Sequence, residues 1–83
     1  MISCEQYDYI EIACMYHFKL IITLMSGDTI TAIALDTKRN SENQECLVTQ
    51  QVNQTALIVL DQVAAIEAVN TNPHFSKITF THQ

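Results

Sequence analysis

The hydrophobic pattern of the chain switches at Phe18 from a helical to a strand period, which limits the fold to a short helix followed by a sheet. Before Phe18, apolar residues recur at about 100° per residue, so Tyr7, Ile10 and Cys14 fall on one side of a helix. After it, they recur at every second position, as in strands with one buried face. The 83 residues suffice for one small core. We therefore expect one domain over residues 1–83, α+β in class and mainly β.

Capping and turn residues divide this pattern into elements. Ser3 and Gln6 have the spacing of an N-terminal capping box, so the helix is predicted over residues 4–16. Residues 64–68 have helical propensity, but the segment is short for a helix, and we predict a strand. The short connections indicate antiparallel strands forming a closed or nearly closed barrel, or a sandwich. The strands are predicted at residues 18–25, 29–35, 45–51, 55–60, 63–69 and 77–81, with a turn at 26–28 and a polar loop at 38–44.

The charge balance bears on the kind of partner. Nine acidic and four basic residues give a net charge of −5. Lys and Arg side chains bind phosphate backbones, and four of them supply little attraction. The field of the molecule would repel RNA or DNA and attract a basic protein. We expect a protein partner and no direct binding of nucleic acid.

Neither a membrane span nor an export signal is apparent. There is no run of about 18 apolar residues, and the first residues are neither basic nor followed by an apolar stretch. We expect a cytoplasmic protein whose reduced cysteines serve as small buried hydrophobic residues. No cofactor or metal is expected, because the spacing of the cysteines and histidines matches no known ligand set: Cys4, Cys14, Cys46, His17, His74 and His82.

Catalytic motifs give little support for an enzyme. No Gly-rich loop is present to hold a phosphate, and no serine has the context of a nucleophile elbow. Cys14 and His17 are three residues apart on the helix, a spacing that would allow a nucleophile and a base to pair. However, Cys14 falls on the core side, and His17 closes the helix, where a cation complements the dipole. We therefore do not expect an enzyme.

The outer sides of the helix are a candidate binding surface. Carboxylates near a helix start stabilise the positive end of its dipole, which would explain Glu5 and Asp8 without a partner, but not Glu11. An apolar, aromatic stripe beside the acids has the composition of a protein-binding patch. The acidic stripe consists of Glu5, Asp8 and Glu11, and the apolar stripe of Tyr9, Ile12 and Tyr16.

The polar loop after the second strand is a further candidate. Lys38 and Arg39 are half of the basic residues of the chain, although a solvated loop would also explain them. The stretch from Leu24 to Asn40, with Asp36 four residues before its end, is similar to the first motif of Sm proteins, whose Asp and Asn belong to an RNA-contacting loop. Residues 57–63 lack the Arg-Gly pair of the second Sm motif. An Sm-like RNA-binding module is thus the alternative function.

A second resemblance covers nearly the whole chain. The positions that carry it are Ile2, Cys4, residues 7–14, His17, Gly27, Ala32, Ala34, Asp36, Thr37, residues 45–47, Leu60, Asp61 and Val63. In these positions the chain resembles the Rof family, also called YaeO. Members of that family are Rho-binding antiterminators, which inhibit bacterial transcription termination.

The resemblance implies an Sm-like (SH3-like) barrel that binds the transcription termination factor Rho at its N-terminal, OB-fold-containing RNA-binding region and blocks RNA loading. It also implies that the N-terminal helix and the polar loop contact Rho. Such a surface on Rho should be basic, so carboxylates on a helix could occupy its phosphate-binding groups. We expect a monomer when the protein is free, and no membrane partner. The predicted partner-binding residues are Glu5, Tyr7, Asp8, Tyr9, Glu11, Ile12, Lys38, Arg39 and Asn40.

Overall fold

The computed structural model describes residues 2–81, which form one α-helix followed by six strands. A single turn of 3₁₀-helix, Leu60–Gln62, separates the fourth and fifth strands at the predicted break. No helix among the described residues has the length and apolarity needed to cross a membrane. The elements are α1 (Cys4–Met15), β1 (Lys19–Leu24), β2 (Thr29–Arg39), β3 (Glu45–Gln50), β4 (Thr55–Val59), β5 (Val63–Ala68) and β6 (Lys77–Thr79).

Ser3 and Gln6 begin α1 as their spacing predicts, with one difference. The backbone of Ser3 is extended, and its Oγ accepts a hydrogen bond from the N–H of Gln6 at 3.2 Å. Instead of returning to Ser3, the Gln6 side chain reaches the end of the chain. Its Nε2 donates to the carbonyl of Thr79 at 3.2 Å, and its Oε1 accepts from the N–H of Thr81 at 3.1 Å. Gln6 thus ties α1 to β6.

His17 closes α1, as predicted. Its φ of 51° lies in the left-handed region. The N–H of His17 donates to the carbonyl of Cys14 at 3.2 Å, and the N–H of Phe18 donates to the carbonyl of Ala13 at 2.9 Å. These two bonds form a Schellman motif, which satisfies carbonyls at the end of the helix. The chain therefore leaves α1 in a defined direction and enters β1 directly.

The six strands form one antiparallel sheet in the order β4-β3-β2-β1-β5-β6. The sheet changes direction along β2, because residues 29–33 pair with β1 and residues 33–39 pair with β3. The register shifts between Ala34 and Asp36, which marks a β-bulge, and bulges bend the strand that carries them. Among the described strands no pairing joins β4 to β6, so these two are the edges of the sheet.

One cluster of buried side chains joins the helix to the sheet. The helix packs against β2. Its other sides face solvent or contact segments near the end of the described chain. Because the buried side of α1 is set by this packing, the positions of its acidic residues are set as well. The cluster includes Ile10 and Ala13 of α1, Leu20, Ile22, Leu47 and Ile66 of the strands, and Phe75 and Phe80 near the end of the chain.

The predicted α+β, mainly β class is confirmed, and residues 63–68 are a strand as predicted. The bend at β2 agrees with an Sm-like barrel, although the pairs among residues 2–81 leave the sheet open. The predicted loop at 38–44 is wrong at its start. Lys38 and Arg39 lie in β2, because the bulge lets this strand continue beside β3. That residues 1–83 form a single domain stays a prediction.

Candidate functional site

The three acidic side chains of α1 point away from the core. Glu5, Asp8 and Glu11 are exposed, whereas the buried side of the helix is formed by Ile10 and its neighbours. Their carboxylates form no ion pair with any residue between positions 2 and 81. The acidic stripe predicted from the sequence is therefore present, and its charge is not neutralised within the described part of the protein.

Part of this stripe lines a cleft of about 500 Å³ between α1, the turn from β2 to β3, and the 3₁₀ turn. Tyr7 also lines it, and because Tyr7 is half-buried and packs on the core, it serves both packing and the cleft surface. Among the described residues that line this cleft, four side chains carry carboxylates and one carries a guanidinium, so this lining is net negative. These groups belong to Asp8, Glu11, Glu45, Asp61 and Arg39; we call this space the acidic cleft.

Arg39 reaches the acidic cleft, but Lys38 does not. Nη2 of Arg39 donates to Oε1 of Glu45 at 3.1 Å, and Nη1 donates to the carbonyl of Asn43 at 2.9 Å. Successive side chains of a strand point to opposite faces, so Lys38 points away from Arg39. The two bases therefore do not form one basic patch, and the charge of Arg39 is partly matched by Glu45.

Asn40 is engaged inside its own turn. Its Oδ1 accepts hydrogen bonds from the N–H groups of Glu42 and Gln44, both at 2.9 Å, and its Nδ2 donates to the side chain of Gln44 at 3.0 Å. Oδ1 of Asp36 likewise accepts from the N–H of Thr37 at 2.8 Å. The two side chains that motivated the RNA-binding alternative thus have local structural roles.

The apolar stripe of α1 is less exposed than predicted. Tyr9 and Ile12 are half-buried and pack against the core, and the ring of Tyr9 meets Phe75 edge-on with centroids 5.7 Å apart. Tyr16 is exposed, but its ring stacks on His74 at 5.0 Å. The prediction of an exposed patch is therefore wrong for Tyr9 and Ile12, because both side chains pack against the core, where Phe75 from the segment between β5 and β6 meets Tyr9.

The cysteines divide into two environments. The pKa of the Cys14 thiol is raised to about 11, mainly because burial penalises the thiolate and also because the carboxylates of Asp36 and Glu11 repel it. A thiol held in the protonated form is a poor nucleophile, so Cys14 acts as a packing residue. Cys46 is buried too, but Cys4 is exposed beside the acidic cleft, so the prediction of buried cysteines is wrong for Cys4.

Metal-binding groups are not clustered in the described part of the chain. No set of three or more His, Cys, Asp or Glu side chains between residues 2 and 81 is placed to hold a metal ion. His82, one of the histidines considered above, lies outside the described residues. Within the described residues, the carboxylates of the acidic cleft are therefore not arranged as a metal site.

The far wall of the acidic cleft was missed by sequence reasoning. It comes from the turn between β2 and β3, with Asn43, Gln44 and Glu45, and from Asp61 in the 3₁₀ turn. These residues share no periodicity with α1 and lie at least 28 positions after its last residue, Met15. The one local signal was the break at residues 61–62, which indicated a turn without indicating what the turn faces.

Comparisons with known proteins agree with one another. A family model described as "Modulator of Rho-dependent transcription termination (ROF)" matches residues 1–80. "Protein rof" of Escherichia coli strain K12 and "Protein rof" of Shigella flexneri are each 33% identical to this chain over 64 residues, which is 77% of this chain and 75% of each relative. A solved structure described as YaeO bound to magnesium, from Vibrio cholerae O395, is similar with a TM-score of 0.87 at 43% identity, covering 90% of this chain and 97% of that chain.

The matched residues include the helix, both walls of the acidic cleft and all six strands of the described structure. The likeness therefore covers the segments that form the candidate site and is not confined to a motif. The family is one of transcription-termination modulators and not of enzymes. The resemblance inferred from the residues is confirmed: this chain belongs to the ROF family, the modulators of Rho-dependent transcription termination.

Proposed function

We propose that this protein inhibits Rho by docking the acidic side of α1 on the N-terminal RNA-binding region of Rho, so that RNA cannot load and transcription continues past Rho-dependent terminators. The observation that carries the proposal is the exposed acidic stripe. Glu5, Asp8 and Glu11 project from the helix without an ion-pair partner among residues 2–81. The proposal places the protein in the cytoplasm, together with Rho.

Carboxylates on a helix can occupy a surface built for RNA. Sites for single-stranded nucleic acid combine a basic groove with aromatic side chains on which bases stack. Asp8 and Glu11 are three residues apart, so their Cβ atoms lie about 5–6 Å from each other on one side of the helix. Two neighbouring basic groups of Rho would each donate a charge-assisted hydrogen bond to one of these carboxylates.

The acidic cleft adds depth to this surface. Its volume of about 500 Å³ is ample for a long basic side chain, and its net negative charge favours one. Tyr7 offers part of a half-buried ring beside the carboxylates. An Arg or Lys of Rho inserted here would exclude the RNA phosphate that it otherwise binds.

The turn after β2 forms the second part of the proposed contact. Lys38 and Arg39 are exposed at its start, and the internal hydrogen bonds of Asn40 hold it in one shape. We assign it the role of setting the orientation of the docked domain, as the family likeness implies. Tyr9 and Ile12, being half-buried, are assigned mainly to holding α1 on the core.

The decisive experiment measures displacement of RNA from Rho. Fluorescent cytidine-rich RNA is bound to Rho, and its anisotropy is followed as the protein is added. The test variant is Asp8→Asn with Glu11→Gln, and the matched control is Asp28→Asn with Glu67→Gln, which removes two exposed acids elsewhere. Each double variant changes the net charge from −5 to −3. We expect the helix variant to displace RNA roughly tenfold less well, because two charge pairs of about 0.7 kcal/mol each are lost.

The control should displace RNA nearly as well as the parent protein. If both double variants displaced RNA as well as the parent protein, a contact through α1 would be contradicted. If both lost displacement to the same extent, only the net charge would matter. Raising the salt concentration should weaken displacement, because exposed charges are screened over about 8–10 Å near physiological ionic strength. Tight binding of the same RNA by this protein without Rho would instead favour the RNA-binding alternative.

A further inference from the structure

Strand β4 is an edge of the sheet, and the pairing of β3 with β4 shows which of its backbone groups are unused. The N–H of Gln51 donates to the carbonyl of Gln54 at 2.8 Å, in register with the ladder that follows. Hydrogen-bonded and non-hydrogen-bonded pairs alternate along an antiparallel ladder. If the pairs are counted from Gln51 and Gln54, every second pair is hydrogen-bonded. Ala56 and Ile58 therefore exchange hydrogen bonds with Thr49 and Leu47 of β3.

The other residues of β4 direct their N–H and C=O groups away from β3. These residues are Thr55, Leu57 and Val59, and among the described elements no strand pairs with this side. No bulge interrupts this row of backbone groups, because the register of β3 with β4 has no shift. An unpaired, unshifted row of this kind is a template for another strand.

Natural edges are usually protected by charged residues, Pro, bulges or short length. Strand β4 has none of the first three: its sequence is Thr-Ala-Leu-Ile-Val, and its register with β3 is regular. No charged residue occurs anywhere between Glu45 and Asp61, although the chain carries a net charge of −5. The side chain of Leu57, at the centre of the strand, is 45% exposed.

The opposite edge, β6, is protected. It is three residues long and carries Lys77. The carbonyl of Thr79 is occupied by the side chain of Gln6, which also accepts from the N–H of Thr81. A ring in which β4 of one copy pairs with β6 of the next is therefore poorly supported. Among the strands of residues 2–81, the one left to pair with β4 is therefore β4 of a second copy.

We propose that two copies of this chain associate through β4 about a twofold axis, with Leu57 opposite the partner's Leu57. In this register Thr55 lies opposite the partner's Val59, and Val59 lies opposite the partner's Thr55. All three are hydrogen-bonded pairs, each exchanging two bonds, with Cα atoms about 5.5 Å apart. Any other antiparallel register leaves some of the outward groups unpaired.

Side chains also favour this arrangement. Val48 of β3 lies opposite Leu57, so the two share one face of the sheet. Pairing Leu57 with the partner's Leu57 joins the apolar stripes of both copies, and cross-strand apolar pairs stabilise a sheet. The uncharged hairpin keeps like charges away from the contact. One strand pair is a small interface, so the dimer should be weak and dependent on concentration.

The proposed dimer differs from the monomer expected from the sequence, and it does not depend on the proposed inhibition of Rho. Sedimentation velocity of the full chain, from about 10 μM to about 1 mM, should show the mass rising from 9.4 kDa towards twice that value. Leu57→Lys should weaken association roughly tenfold or more, because two ammonium groups would face each other across the axis. Val52→Lys is the matched control, since Val52 is 94% exposed and lies outside β4.

The register has its own test. Leu57→Glu should weaken association in the same way, but a mixture of Leu57→Lys and Leu57→Glu should associate more strongly than either variant alone, because position 57 meets itself across the axis. Circular dichroism is used to check that each variant is folded. A parent protein that stays at 9.4 kDa across the concentration range overturns the proposal. So does Leu57→Lys associating as well as Val52→Lys, or a Lys and Glu mixture that remains monomeric.

Discussion

Replacing His17 by Gly should make the protein more stable. His17 has a φ of 51°, where the Cβ of an L-residue crowds the following carbonyl at a cost of about 1–2 kcal/mol. Gly avoids this cost, but its greater freedom in the unfolded chain removes roughly 0.4–1 kcal/mol of the gain. The imidazole is exposed, so its loss removes little packing. The expected net gain is about 0.5–1 kcal/mol, with both hydrogen bonds of the Schellman motif retained.

Thermal unfolding followed by circular dichroism measures this gain. For a domain of this size, 1 kcal/mol shifts Tm by about 4–8 °C, so His17→Gly should raise Tm by roughly 2–8 °C. His17→Ala is the matched control, because it removes the imidazole but keeps Cβ and the strained backbone. We expect no gain in Tm from Ala. Asn tolerates the left-handed region better than most residues, so His17→Asn should fall between Gly and Ala.

Two outcomes would refute this reasoning. If His17→Ala raised Tm as much as His17→Gly, the imidazole and not the backbone would be the source of the cost. If His17→Gly and His17→Ala lowered Tm equally, the left-handed turn would carry no cost, and the imidazole would be a stabilising group at the helix end.

Three further predictions concern Gln6 and the cysteines. Gln6→Leu should lower the free energy of unfolding by about 1–2 kcal/mol in urea titration, because it removes two hydrogen bonds between α1 and the end of the sheet; an unchanged midpoint would show that the bridge does not stabilise the fold. In the native protein at pH 8, iodoacetamide should modify Cys4 and spare Cys14, as read by peptide mass spectrometry. Folding raises the pKa of the Cys14 thiol from 9.0 to about 11, so the unfolded chain releases this proton at a lower pH than the folded protein does. This thiol should therefore contribute stability below pH 9 that is lost between pH 9 and 11. Cys14→Ala, if it folds, should lack this part of the fall in stability with pH.

Much of the fold was predictable from local patterns. Ser3 begins the helix because its hydroxyl caps a backbone N–H, and Gly27 adopts a φ of 97° in the predicted turn. Both effects depend on neighbours within a few residues. The strand at residues 63–68 was predictable from its length between two breaks, despite its helical propensity. The acidic stripe of α1 followed from spacing alone, since helical geometry fixes which residues share a side.

The candidate site was predictable only in part. Asp8 and Glu11 form one wall of the acidic cleft, but Asp61 lies far along the chain and no local pattern connects it with α1. The loop before β6 likewise covers Tyr9, whose apolar side looked free in the helix alone. In both cases a distant segment decides which surface is open.

The order of charges and the hydrophobic period were thus enough to predict the class of fold and the acidic side of the helix. Both of these features depend on repeating geometry along one element. The shape of the cleft, the course of β2 past its bulge and the unprotected edge at β4 required the packed structure. These features depend on contacts between segments that are far apart in the chain. The free energy of such contacts comes from burial and hydrogen bonding between separate elements, and a local sequence pattern does not show which elements will meet.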